Sequence, residues 1–469
     1  MAPIRSILIA NRGEVALRVI RAAKEMGIRT VAVYSEADRD SLHARMADQA
    51  ICIGPASSAR SYLDMPNVIS AALVSGADAV HPGYGFLAEN AAFARACADS
   101  GLTFIGPSPD AIERMGDKSV ARSTMMAAGV PCVPGSDGAV ENEADALSFA
   151  REVGFPVLIK ASAGGGGKGM RVARDESELA RNFTAARTEA AAAFGNDTVY
   201  IEKYLQRPRH IEIQVLADTH GNAVYLFERD CSVQRRHQKL IEEAPSPALS
   251  AETRAAMGEA ALKAVRAVDY VNAGTVEFLL DTDGRFYFME MNTRVQVEHP
   301  VTEQITGVDI IKEQIRIAAG EPMKHARQED VELRGHAIEF RINAEDPLAG
   351  FRPHPGRVEV FNPPGGFGVR IDSHLYSGYV VPPHYDSLLA KLVVWGETRD
   401  EAVARARRAL DEFIVVGIPT TVLFHQFVVE EEHFVRGEVY TDYVETHVSA
   451  EDLAAFAAGG HAVEEARDV

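Results

Sequence analysis

The stretch 274–300, GTVEFLLDTDGRFYFMEMNTRVQVEHP, sets carboxylates into two alternating runs that meet at a turn. Asp281-Thr282-Asp283-Gly284 reads as the turn of a β-hairpin. With Thr282 and Asp283 as the two loop residues, Leu280 faces Arg285 and Glu277 faces Phe288. Glu290 then lies diagonally from Glu277 on the same face, roughly 7–8 Å away at Cα, with Asn292 one step further. Two like charges at that spacing repel unless a cation lies between them. Three oxygen ligands from Glu277, Glu290 and Asn292 suit Mg²⁺ or Mn²⁺. The competing reading is two solvated glutamates on an exposed face, and a one-residue register slip separates the pair. The alternation continues through Arg294, Gln296 and Glu298. Five polar groups at every second position from 290 to 298 exclude a core face and suit a solvated edge or a working cleft. They offer metal ligation, anion binding and a base.

Two further stretches carry chemistry. RDCSVQRRHQK at 229–239 is basic within an acidic chain and reads as an anion site or a solvated patch. ASAGGGGKGM at 161–170 has five glycines in six positions. A dinucleotide fingerprint must open a helix directly, whereas 170–173 reads as a strand. A P-loop fails at Ser162 and Gly169. The strand–glycine–strand of kinases fits better, without the partner motifs. What survives is a strand–loop–strand whose amides wrap a phosphate chain, against a mobile hairpin tip with a solvated Lys168.

The elements that position these groups follow from periodicity. A buried strand at 4–10, the turn Asn11-Arg12-Gly13, a helix at 14–26 and a strand at 30–34 make a βαβ opening. Further strands at 77–81 and 102–106 complete a doubly wound parallel sheet. His81-Pro82-Gly83-Tyr84-Gly85 is a turn at a strand end, where such sheets place ligands. From 156 a strand, the glycine loop, a strand at 170–173, a helix at 175–193 and a strand at 199–203 form a small α+β lobe. From 209 antiparallel strands are expected at 211–217, 223–229, 274–280, 285–291 and 336–343, with helices near 251–268 and 309–319. A last helix falls at 399–413. The tail from about 448, rich in Ala, Gly and Glu, is expected to be disordered.

The bulk numbers fit an ordinary globular protein of about three domains. The chain has 469 residues, 46% apolar and 25% charged, with a net charge of −19. That sign disfavours nucleic acid and anionic membranes, and no apolar run approaches the roughly 18 residues of a membrane span. Cys52, Cys97, Cys132 and Cys231 make no CxxC pair, which suits a reducing compartment. With a poor signal sequence at the N-terminus, a cytoplasmic location is expected.

Taken together, the motifs resemble biotin carboxylase of the ATP-grasp superfamily over roughly 3–447. They are ANRGEVA at the start, HPGYGFLAEN at 81–90, KASAGGGGKGM at 160–170, EKYL at 202–205, RHIEIQVLAD at 209–218, RDCSVQRRHQKLIEEAPSP at 229–247, FMEMNTRVQVEHPVTE at 288–303 and HAIEFRINAED at 336–346. The resemblance implies an α/β and α+β chain. A Rossmann-like N-terminal domain with linker helices (1–131) precedes an ATP-grasp lid (132–204) that closes over ATP. The ATP-grasp large lobe and a C-terminal α+β domain (205–447) follow, then the tail (448–469).

The implied reaction is ATP- and bicarbonate-dependent carboxylation of biotin through carboxyphosphate, within an acyl-CoA carboxylase. The alternative is another ATP-grasp carboxylate–amine ligase, of the carbamoyl phosphate synthetase kind. The resemblance assigns Lys118 and Lys160, with the amides of Gly166 and Gly167, to the nucleotide phosphates. Glu202, Lys203, Tyr204 and Leu205 line the adenine pocket, with His210 nearby. Glu277, Glu290 and Asn292 hold Mg²⁺ or Mn²⁺, the two glutamates also meeting the nucleotide. Lys239, Arg294, Gln296 and Val297 hold bicarbonate, and Glu298 is the base that deprotonates it. Arg341 stabilises the biotin enolate. Tyr84, Gln234 and His237 line the biotin side, the latter two also reaching ATP. Cys231, inside the active stretch, is a candidate for thiol sensitivity. Met323-Lys324 is the only Met-Lys pair and lacks the flanking residues of a biotinylation hairpin. Biotin is therefore expected on a separate biotin carboxyl carrier protein, with carboxyltransferase subunits as further partners and the chain itself a homodimer.

Overall fold

The protein was analysed as a computed structural model, which describes residues 3–136, 138–161, 170–194 and 197–461. It divides into two compact units: Met1–Val130, Arg209–Phe278 and Glu290–Val469 form one, Pro131–Pro208 and Leu279–Met289 the other.

In the first unit, the opening apolar run is a fully buried strand, Ser6–Ile9. It is the third strand of a five-stranded parallel sheet in the order Gln49–Gly54, Arg29–Ser35, Ser6–Ile9, Ala79–His81, Thr103–Phe104. Connections leave Ser6–Ile9 in both directions, so the crevice at its carboxyl end is a topological switch point. Asn11 closes that crevice. Its Nδ2 donates to the carbonyls of Pro82 and Tyr84, both at 2.7 Å. Gly83, at φ +63, is needed there, because a Cβ would lie 2.8 Å from the Asn11 amide.

The chain also forms an eight-stranded sheet. Its order is Phe286–Asn292, Asn272–Leu280, Arg209–Ala217, Ala223–Arg235, Gln238–Ala244, His336–Asn343, Leu388–Gly396, Val369–Ser373. Burial on both faces explains its central strand, where all nine residues of Arg209–Ala217 are buried despite Arg209, His210, Glu212 and Gln214. The helix Arg399–Asp411 packs its Ala402, Val403, Ala406 and Leu410 face on Ile338, Phe340 and Leu392 of this sheet. No helix among the described residues is long and apolar enough to cross a membrane.

The second unit is a three-stranded antiparallel sheet, Met170–Ala173, Val157–Ala161, Val199–Lys203, with the helices Glu143–Val153 and Glu176–Phe194. Val157, Ile159, Leu179, Phe183, Val199 and Ile201 form its core. Val157–Ala161 and Met170–Ala173 pair as the expected hairpin. Its glycine loop, with Gly166, Gly167 and Lys168, lies outside the described residues.

Three expectations change. The Asp281–Arg285 turn is one residue longer than expected: the Asp281 amide donates to the Arg285 carbonyl at 2.8 Å and Gly284, at φ +83, donates to Asp281. Glycine supplies the left-handed residue that a three-residue hairpin loop needs, and Asp281 therefore pairs with Arg285. The strand-face alternation expected through 298 leaves the sheet at Asn292, and Glu298 instead takes the position just before the helix His299–Thr306, its side chain making no capping bond, with Pro300 in the first turn. The tail begins with a helix, Ala450–Phe456. Ser449 and Asp452 form a reciprocal capping box, Leu453 is buried and Phe456 packs edge-on against Phe427 at 5.6 Å.

A buried histidine in the first unit makes stability depend on pH. His374 is 2% exposed, and burial, reinforced by the Arg12 charge, holds its imidazole down at about 3. The unfolded chain takes up this proton near pH 6.5 and the folded chain does not. Stability is therefore lost as pH falls from 6.5 toward 3, by up to about 1.4 kcal/mol per pH unit for this ring. His374→Gln is expected to remove one proton from the slope of stability against pH between 6.5 and 4.5. An unchanged slope in urea-denaturation midpoints overturns the assignment.

Candidate active site

One ammonium group organises the polar face of the large sheet. Lys239, on Gln238–Ala244, donates to Glu212 Oε2 at 2.5 Å, Glu298 Oε1 at 2.6 Å and Glu277 Oε1 at 3.1 Å. A lysine has three donors, and all are used. Burial opposes the charge, yet the surrounding carboxylates hold Lys239 well above its ordinary value.

Glu298 is gripped on both oxygens, by Lys239 and by Arg341 Nη2 at 2.8 Å. Burial would raise its carboxyl, but the charges of Lys239, Arg341 and Arg229 hold it well below the usual carboxylate range. It is an ionised base at neutral pH. Arg341 also donates through Nε to Glu242 Oε1 at 2.6 Å, and burial pushes Glu242 up to about 7 against the pull of Arg341.

Arg229 lies behind Lys239 with no exposure. Its five N–H groups meet five acceptors: Glu212 Oε1 at 2.5 Å, Gln214 Oε1 at 2.7 Å, Thr302 Oγ1 at 3.0 Å, Thr275 Oγ1 at 3.1 Å and Gln296 Oε1 at 2.7 Å. With its oxygen so occupied, Gln296 turns its Nε2 to Glu277 Oε1 at 2.7 Å. Most of the basic stretch is therefore internal rather than a solvated patch, and only its turn residues Arg236, His237 and Gln238 are exposed. Arg236 and His237 take φ of +50 and +66 there. Gln234 is buried next to this turn.

Glu277 accepts from Lys239, Asn292 Nδ2 at 2.9 Å and Gln296 on one oxygen, and His210 Nε2 lies 3.0 Å from the other. Burial works against its charge, but Lys239 and His210 hold it well below its ordinary value. Glu290 stands differently. Burial and the Glu277 charge both push it up, and Lys118 at 3.9 Å only partly offsets them. A divalent cation relieves that situation, and the Glu290 side chain is 41% exposed, which leaves an approach. Glu277 and Glu290 thus fit a metal. Asn292 Oδ1 accepts from Arg294 Nη2 at 2.9 Å, which leaves its second lone pair for a metal.

Arg294 is anchored by Glu89, which takes Arg294 Nε at 2.7 Å and the Thr293 amide at 3.0 Å. The Val297 carbonyl accepts from the fully buried Lys391 at 2.8 Å, and Lys391 pairs with Glu14 at 3.2 Å. Glu14 in turn accepts from the Tyr84 hydroxyl. Tyr84 and Val297, assigned to neighbouring tasks from sequence, are therefore tied through two buried charges.

In the second unit, Lys160 Nζ meets Glu202 Oε2 at 2.5 Å across adjacent strands. Lys203 donates to the carbonyls of Gly154 at 2.8 Å and Phe155 at 3.3 Å. The Tyr204 amide donates to the Pro156 carbonyl at 3.1 Å, and Leu205 packs with Val133 and Tyr287.

Cys231 is corrected as a thiol-sensitive site. It is fully buried, and burial with the Glu212 charge pushes its thiol well above its ordinary value, so the reactive thiolate is not available. The residues that sequence reasoning missed as partners are Glu89, Glu212, Glu242, Arg229 and Lys391. Glu89 and Glu212 lie inside HPGYGFLAEN and RHIEIQVLAD, but their cations lie 205 and 27 residues away, at Arg294 and Lys239.

Known proteins share this sequence and fold. The biotin carboxylase N-terminal domain matches residues 3–112, the ATP-binding domain of the carbamoyl-phosphate synthase L chain 117–326, and the biotin carboxylase C-terminal domain 339–446. The chain is 60% identical to biotin carboxylase of Nostoc sp. over 94% of its length and 98% of the relative's. It is also 60% identical to biotin carboxylase 1 of Bacillus subtilis, over 95% and 99%. Among solved structures, Campylobacter jejuni biotin carboxylase in a β,γ-ATP complex aligns with a TM-score of 0.88 at 51% identity, over 95% of this chain and 99% of that one. The biotin carboxylase domain dimer of Hydrogenobacter thermophilus 2-oxoglutarate carboxylase, with MgADP, ADP and bicarbonate, aligns at 0.87 and 50% identity, over 96% and 99%. On its sequence, its three matched domains and its fold, the chain belongs to the biotin carboxylase family.

Proposed function

We propose that this chain carboxylates biotin on a separate carrier protein, using ATP and bicarbonate, as the first half-reaction of an acyl-CoA carboxylase. The observation that carries the reading is the ionised Glu298 held between Lys239 at 2.6 Å and Arg341 at 2.8 Å. A base surrounded by cations suits an anionic acid such as bicarbonate. When that anion takes up hydrogen bonds from Lys239 and Arg294, Glu298 loses part of its cationic grip and its basicity rises as the proton arrives.

Bicarbonate oxygen then bonds to the γ-phosphorus while the bond to ADP breaks, giving carboxyphosphate. This splits to CO₂ and phosphate; the phosphate takes up the ureido N–H proton of biotin, and that nitrogen forms its new bond to CO₂. Arg341 stabilises the enolate-like oxygen of that biotin, and Tyr84, Gln234 and His237 line its side. Glu277, Glu290 and Asn292 are the residues that would hold Mg²⁺ or Mn²⁺. Bound with ATP, the ion neutralises charge on the phosphates. Lys118, Lys160, Glu202, Lys203, Tyr204, Leu205, His210 and the amides of Gly166 and Gly167 are assigned to the nucleotide, on motif identity with the family. The division into an N-terminal domain to 131, a lid at 132–204 and a remainder to 447 belongs to the same reading. So do the carrier protein, the carboxyltransferase subunits, a homodimer and a cytoplasmic location.

The test is ADP release by the purified chain with ATP and Mg²⁺. Release is expected to require bicarbonate and to rise with free biotin, and Glu290→Gln is expected to slow it at least tenfold. Stimulation by ammonia in place of biotin would move the chain to the other ATP-grasp ligases.

A further inference from the structure

Outside this site, one cluster of the first unit combines donor atoms that suit a transition metal. Glu431, His433 and His447 each present a ligand atom, and the three atoms lie within 4.8 Å of one another. Each donor is fixed by contacts that a metal does not have to supply. Glu431 caps the short helix Glu432–Val435, and its Oε2 accepts from the Phe434 amide at 3.0 Å and the Tyr443 hydroxyl at 2.8 Å. That leaves Oε1 beside His433 Nδ1, at 2.7 Å. His447 ends the helix Tyr443–His447 and stacks one turn on from Tyr443, with ring centroids 5.3 Å apart.

The two imidazoles lie 4.0 Å apart, centroid to centroid. Ligand atoms on one Zn²⁺, each about 2.0–2.2 Å from it, sit roughly 3.3–3.5 Å apart. Rotation of the two imidazoles out of their stack brings their in-plane lone pairs to one ion at that span. The approach is open, since the His433 side chain is 39% exposed.

We propose that Glu431, His433 and His447 form a zinc site, with two imidazoles, one carboxylate and an open position for water. Imidazole donors set it apart from the all-oxygen pair Glu277 and Glu290, which suits Mg²⁺. The ion joins the 431–433 turn to the end of Tyr443–His447, just before the C-terminal helix Ala450–Phe456. It is a clip in the fold, apart from the reaction.

The test is equilibrium dialysis of the full chain against Zn²⁺ with millimolar Mg²⁺ present throughout. The unaltered chain is expected to retain one more zinc per chain than the double variant His433→Gln/His447→Gln. With Co²⁺ in place of Zn²⁺, the unaltered chain is expected to show a tetrahedral absorption band that the variant lacks. Its melting temperature should rise with Zn²⁺, while the variant's does not. Bicarbonate-dependent ADP release, measured with EDTA-treated protein resupplied with Mg²⁺ alone, should be the same in both. Equal zinc content overturns the proposal. Should the double variant fail to fold, His447→Gln alone decides: a tenfold or greater loss of zinc affinity upholds the site, and unchanged affinity overturns it.

Discussion

Replacing Lys239 with Met is expected to lower kcat/KM for bicarbonate by about a thousandfold, the scale of removing one charge-stabilising donor from a closed site. The reason is that a single ammonium serves three carboxylates, Glu212, Glu277 and Glu298, at 2.5, 3.1 and 2.6 Å. Methionine keeps the volume and removes every donor. Breaking a buried ion pair by taking out one partner costs about 3–5 kcal/mol, so the melting temperature falls as well. The more telling consequence is electrostatic. In the unaltered chain burial raises Glu298, and Lys239, followed by Arg341 and Arg229, holds it well below the usual range. Its titration therefore lies below the working pH range and leaves no acid limb near neutrality. Without Lys239 the burial effect meets only the two arginines, and the carboxyl moves upward. A base with a raised pKa is protonated at low pH and freed as pH rises, so the residual activity of Lys239→Met should climb with pH between 6 and 9. Bicarbonate-dependent ADP release across that range checks it. A residual rate that stays flat with pH would show that Glu298 is not the base, or that Lys239 does not control it.

The same network shows how far local sequence carries and where it stops. The parallel opening sheet was legible because Ile7, Leu8 and Ile9 are apolar on every residue, as strands covered on both faces are. The α+β lobe was legible because Pro156 and the glycine run punctuate it. The strand His336–Asn343 falls at its expected residues. Misreadings arise where a distant partner overrides the local pattern. Glu212 and Gln214 alternate with apolar residues and look solvent-facing, yet Arg229 takes both into the interior. Arg294, Gln296 and Glu298 keep a two-residue period although the chain has left the sheet after Asn292 and turns into a helix with Pro300 in its first turn. Period 2 reports that these groups share a task, and here it does not report a strand. Leu388–Gly396 escaped notice within a Gly- and Pro-rich region. Its Lys391 interrupts an apolar run and is buried only because Glu14 and the Val297 carbonyl, from two remote segments, receive it.

Arg229→Lys is expected to keep the charge and still damage bicarbonate use selectively. Arg229 reaches no reacting group by any contact described above, so it acts as a positioning residue. Its five donors are matched to five buried acceptors, and lysine offers three from a single point. At least two acceptors lose their partner, at roughly 1–3 kcal/mol each for a buried group left unsatisfied. The one that matters for the reaction is Gln296. Its Oε1 is held by Arg229 at 2.7 Å, which fixes the amide with Nε2 toward Glu277. Once released, the amide is free to reverse and present oxygen to the Glu277 carboxylate, a repulsive contact in the subsite assigned to bicarbonate. The expected result is a KM for bicarbonate raised ten- to a hundredfold, a KM for ATP changed less than threefold, and a lower melting temperature. A general loss of packing would move both KM values together or neither. Steady-state kinetics with each substrate varied in turn distinguish the two, and an Arg229→Lys enzyme with an unaltered bicarbonate KM would remove Gln296 orientation from the account of how this site holds its anion.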